Sequence, residues 1–229
     1  MEAKNLLERV IASGELSHDT LVLAQRYLLF AAASQGDGNA NRMIEALAPM
    51  TAEDLLAILA LLETAAEFST PSKQRYIGEL EDRLLDDFAQ RGEMTPSSQR
   101  AFEIVRAAID LNVGTPDRVD DSIRRLRKLR QDQPHDARST MELGRAYLQA
   151  RRYESAVETF RQLIADQRTG SPNWYRGKLY LTRGLRLSGQ TEQAKRILDQ
   201  LEILRPDLGG PKLRQAFLQE KRLLDARSN

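Results

Sequence analysis

The chain has 229 residues, 41% hydrophobic and 29% charged, with a net charge of +1 and no cysteine. That length allows one elongated domain or two small ones, and the composition is that of a folded chain rather than a disordered one. The lack of cysteine removes disulfides and thiolate metal ligands.

Glu8 and Arg9 break the opening apolar run, so no secretory leader is expected. The most apolar stretch, Leu55 to Ala66, is roughly half the length needed to cross a bilayer. No membrane insertion and a cytoplasmic location are therefore expected. Charge is unevenly spread. Residues 1–102 carry 9 basic and 16 acidic side chains, and residues 103–229 carry 25 and 17. This asymmetry suggests an acidic partner for the C-terminal half or docking between the halves, against a plain reading as surface variation.

In chain order, apolar residues recur at spacings of three and four and predict helices at 2–12, 17–34, 39–48 and 52–68. Gly14 fits the end of the first. Asp37-Gly38-Asn39-Ala40-Asn41 has the opening of a calcium loop. Arg42 stands where that loop needs glycine and Ala48 where it needs its bidentate glutamate, so a polar connection is expected instead. Thr51 and Asp54 form a capping box with Asp in place of Glu. Leu55, Leu56, Ile58, Leu59, Leu61 and Leu62 make the helix after it densely apolar.

Thr70-Pro71 opens a helix at 71–91, because the hydroxyl caps an orphan N–H and proline needs no donor in a first turn. Its acidic run, Glu79, Glu81, Asp82, Asp86 and Asp87, reads as a solvated face with Arg83 rather than acid–base machinery. Gly92 ends that helix, and Thr95-Pro96 opens the next at 96–113. A boundary near Gly92 to Thr95 divides a helical region, 1–94, from a second region, 95–229.

Thr115-Pro116 opens a helix at 116–132, and Asp136 caps one at 137–150. Helices follow at 154–167, at 172–188 behind Ser171-Pro172, at 191–204 and at 211–226. Gly114 and Gly189 fit helix ends. No segment alternates with period two, so no sheet is expected. About twelve short helices with short connections suggest antiparallel pairs stacked in order, an all-α solenoid.

Internal periodicity sharpens this expectation. Leu143-Gly144, Tyr147, Ala156 and Phe160 form one unit of about 137–170. Small Gly144 and Ala156 let two helices approach closely, Tyr147 and Phe160 fill the space towards the next pair, and Arg151-Arg152-Tyr153 makes the turn. The next unit, about 175–208, places Leu181, Leu185, Gly189, Ala194, Leu198, Leu201 and Pro206 at matching positions. Ile109, Val113, Ser122, Leu126, Leu129 and Pro134 supply an earlier one, about 103–136. Pro134 and Pro206 lie 72 residues apart, two periods of 34 plus a four-residue insertion. Pro211 to Ala226 reads as a capping helix over the open end.

Residues 103–208 resemble tetratricopeptide repeats. The resemblance departs at Thr140, where the family often has Trp, at Arg168, where it has Pro, and at Thr182, where it has Gly. It implies a right-handed solenoid whose first helices line a concave groove. It places Arg138, Met141, Arg145, Gln149, Arg176, Leu179, Arg183 and Arg186 on that groove, five of the eight being arginine. Guanidinium forks match carboxylates in bidentate geometry. The expected function is a protein-interaction scaffold holding an acidic or extended peptide, without cofactor or metal and without enzymatic activity. The alternative is a structural or self-assembly module, which leaves room for a homo-oligomer. The family's clamp for chaperone tails uses Asn and Lys, which Met141 and Arg145 do not reproduce.

Other candidates are weaker. Arg124, Arg125, Arg127, Lys128 and Arg130 cluster on one helix, but no aromatic interleaving or glycine-rich loop accompanies them, which disfavours nucleic acid. His18 and His135 are far apart beside helix starts, a poor basis for a catalytic zinc site. Trp174, the single tryptophan, lies on the inserted turn and reads as a staple against the preceding hairpin rather than a ligand platform.

Overall fold

The computed structural model describes residues 2–14, 16–35, 40–45, 47, 51–67, 69–91 and 96–226. Among them are twelve helices and no strand: α1 (Glu2–Ala12), α2 (His18–Gln35), α3 (Ala40–Glu45), α4 (Ala52–Ala66), α5 (Pro71–Arg91), α6 (Pro96–Val113), α7 (Pro116–Asp132), α8 (Ala137–Gln149), α9 (Tyr153–Asp166), α10 (Pro172–Leu187), α11 (Thr191–Leu204) and α12 (Pro211–Asp225). The described residues are all-α, and each compact unit is built of packed helical hairpins. No helix among the described residues is long and apolar enough to cross a membrane.

Three of the expected caps act as their chemistry requires. Thr51 accepts from Asp54 N–H while Asp54 accepts from Thr51 N–H, a complete capping box. Asp136 accepts from Ser139 N–H, and Ser171 accepts from Trp174 N–H. Thr115 makes no side-chain cap bond, so α7 starts on Pro116 alone. Gly14, Gly114 and Gly189 all sit at positive φ where helices end. Gly92, Thr95 and the Asp37 to Asn39 connection lie outside the described residues, while Pro96 opens α6 as expected.

Two compact units divide at Gly114, whereas the sequence suggested 94. The difference is α6, which packs on α5. Phe88 and Phe102 stack at 5.6 Å, and Arg106 reaches Asp82 at 2.6 Å and Asp86 at 2.9 Å. Buried Glu81 accepts from Asn112 at 3.0 Å. Glu81, Asp82 and Asp86 thus form a seam that receives α6, while Glu79 stays exposed, and Arg83 reaches Glu45 at 3.1 Å. The core of the first unit runs through α2 to α6, from Leu29 to Ile109.

The second unit, Thr115–Asn229, repeats one packing rule. From α8 onward each helix packs on its predecessor, and α10 also touches α8 and α12. Polar side chains bridge at near-constant separation. Arg152 bonds Asp120, Arg130 bonds Gln162 and Arg161 bonds Gln193, each across 32 positions. His135 meets Asp166 across 31. These bridges tie α7 to the start and body of α9, and α9 to α11, so alternate helices of the unit are linked as well as successive ones.

Candidate functional site

The joint between α8, α9 and α10 fixes the faces that carry the arginines. A Cβ on Gly144 would lie 2.4 Å from Phe160 Cζ, so only glycine admits that ring. Phe160, fully buried, stacks on Tyr180 at 5.5 Å. Arg183 in turn lies over the Tyr180 ring at 5.4 Å. Sequence spacing and packing agree here. Small and aromatic residues set the distance between helices, and the arginines follow from it.

The eight expected positions separate into three groups. Met141 and Leu179 are buried, at 7% and 0% exposure, so neither offers apolar surface to a ligand. Arg186 is buried as well. Arg138, Arg145, Arg176 and Arg183 are half-buried and Gln149 is exposed. Arg138 matches Arg176 and Arg145 matches Arg183, each pair 38 positions apart on adjoining helices. Arg145 Nη1 donates to buried Glu142 at 2.7 Å.

Glu220 of α12 is the residue the sequence reading missed. It is buried, and it accepts from Arg183 Nε at 2.6 Å and from Arg186 Nε at 2.8 Å. A signal existed. Leu213, Ala216, Phe217 and Leu224 form the buried stripe of α12, and Glu220 stands in that stripe where an apolar residue is expected.

Residues 117–179 match the family model for the tetratricopeptide repeat. This segment belongs to the tetratricopeptide repeat family. The matched stretch takes in nearly all of α7, all of α8 and α9, and the first half of α10. Solved structures similar to the chain include a Podosopora anserina protein described as a kinesin light chain with nearly identical TPR-like repeats. A point variant of that protein is 17% identical with a TM-score of 0.49, covering 91% of this chain and all of that one. A second structure of it gives 16% and 0.43, covering 89% and 96%. The assembly chaperone of RpL4 gives 14% and 0.34, covering 99% and 97%. No curated protein sequence matches.

Beyond the repeat, the remaining candidates fall into ordinary roles. Arg124, Arg127 and Lys128 are exposed and Arg125 and Arg130 half-buried on α7 around buried Leu126, and Arg124 pairs with Asp121. Trp174 meets Tyr175 edge-on at 5.1 Å, and Lys178 lies over its ring at 5.3 Å. Burial holds the Lys178 ammonium below its usual range. No cluster of three or more His, Asp or Glu able to hold a metal occurs among the described residues.

Proposed function

We propose that the second unit is a protein-interaction scaffold that takes an acidic, extended peptide along the faces of α8 and α10. The observation that carries this reading is the in-phase arginine pairing, Arg138 with Arg176 and Arg145 with Arg183, on adjoining first helices of successive repeats. All four are half-buried, which favours strong charge-assisted bonds over the weak ones of fully solvated pairs. Each such bond contributes about 1.5–3 kcal/mol. Met141 and Leu179 act as core beneath the arginines rather than as contacts.

The double charge reversal Arg145→Glu with Arg183→Glu tests this. Affinity for a fluorescent decaglutamate peptide should fall at least about 100-fold, the product of two such contacts. Undiminished binding would remove the arginine face from the account. A second reading, self-assembly, has its own observation: Ile203 and Leu204 end α11 at 79% and 73% exposure. The matching places in the earlier repeat hold Ala165 and Asp166. A concentration-dependent dimer that Ile203→Ser with Leu204→Ser abolishes would favour it.

A further inference from the structure

Glu220 is the carboxylate of two arginines at once, and the two are not equivalent. Arg186 is 10% exposed and Arg183 is 31% exposed, while Glu220 is 2% exposed at the side chain. A buried carboxylate left without a cation is strongly destabilised, whereas one that keeps a partner is not. If Arg183 leaves, Arg186 Nε still holds Glu220 at 2.8 Å. If Arg186 is removed, Arg183 is the one remaining partner in the pair. The arrangement therefore contains one holding arginine and one that can be released.

We propose that Arg183 is a two-position arm, parked on Glu220 and the Tyr180 ring at rest and handed to a carboxylate of an acidic partner on binding. Arg186 keeps Glu220 neutralised in both states. Glu220 thereby acts as an internal competitor that sets the affinity of the arginine face. The inference rests on the acidic-peptide reading above and deepens it. The neighbouring repeat supports the asymmetry. Leu148 stands at the place of Arg186, 38 positions earlier, and it lies among apolar groups beside Gly184, where Val157 also sits. An ionic contact at the α10–α12 joint is thus a departure from the packing used one repeat before.

The test is decaglutamate affinity in the full chain for the wild type and four variants, with helical melts recorded for each. Glu220→Gln should tighten binding about tenfold, the worth of one charged hydrogen bond no longer competed for. Arg183→Gln should weaken it by a similar factor. Arg186→Gln should also weaken it, although that side chain is buried, because Arg183 is then locked on Glu220. Adding Glu220→Gln to Arg186→Gln should restore it. A merely structural buttress gives the opposite sign for Glu220→Gln and no restoration in the double variant, and that pattern overturns the arm. If wild-type binding is present and Arg183-dependent but indifferent to Glu220 and Arg186, the arm fails while the acidic-peptide reading stands. If neither the wild type nor Glu220→Gln binds decaglutamate, both fail.

Discussion

Gly144 and Gly184 both lie inside helices, yet their substitution should have different outcomes. A methyl on Gly144 would overlap the Phe160 ring at 2.4 Å, and a fully buried aromatic ring has nowhere to move. Overpacking of that kind costs about 1–3 kcal/mol, more than the roughly 1 kcal/mol gained in helix propensity. Gly144→Ala should therefore lower stability in denaturant unfolding. At Gly184 the nearest atom is Val157 Cγ2 at 3.1 Å, a methyl that can shift slightly, so Gly184→Ala should be near neutral. Asp54 supplies a pH prediction. Burial alone would raise its carboxyl, but hydrogen bonds with Thr51 and the charges of Arg26 and His18 bring it below its ordinary value. A lowered folded value means that its stabilisation is present above the ordinary range and lost as pH falls through the folded value. The Asp54→Asn variant should be less stable at neutral pH and show a shallower acid dependence, read from melting curves recorded from neutral to strongly acidic pH. Such effects were only partly legible in sequence. The Thr51–Asp54 box is local and was readable, but Glu220 meets Arg186 across 34 positions, and no local pattern reports a contact that distant.

Helix ends were legible because capping is a short-range interaction between residues a few positions apart. The Asp136 and Ser171 caps formed as expected, and Thr115 did not although it precedes proline. This contrast predicts that Asp136→Ala costs about 1 kcal/mol and Thr115→Ala only a few tenths, measurable by thermal unfolding. The side-chain faces were less legible. Placing Met141 and Leu179 on a groove followed from the family resemblance, but adjoining first helices pack on each other and bury those positions. The acidic run of α5 likewise took its role from α6, through Arg106 and Asn112, neither of which lies near it in sequence.

For the molecule as a whole, the two halves of the chain carry opposite charge, and the compact units divide in the same region, at Gly114. Each unit has its own buried core, so cutting between Gly114 and Thr115 should leave two fragments that each melt cooperatively by helical circular dichroism. What decides the functional account is where an acidic segment lands, because the second unit offers two basic surfaces: the α8–α10 arginine face, and Arg124, Arg127 and Lys128 on α7. Amide chemical-shift mapping of decaglutamate on the labelled chain separates them. Perturbations should concentrate around Arg138, Arg145, Gln149, Arg176 and Arg183. Perturbations centred on Arg124 to Lys128, or spread evenly over every lysine and arginine, would contradict the scaffold surface proposed for this protein.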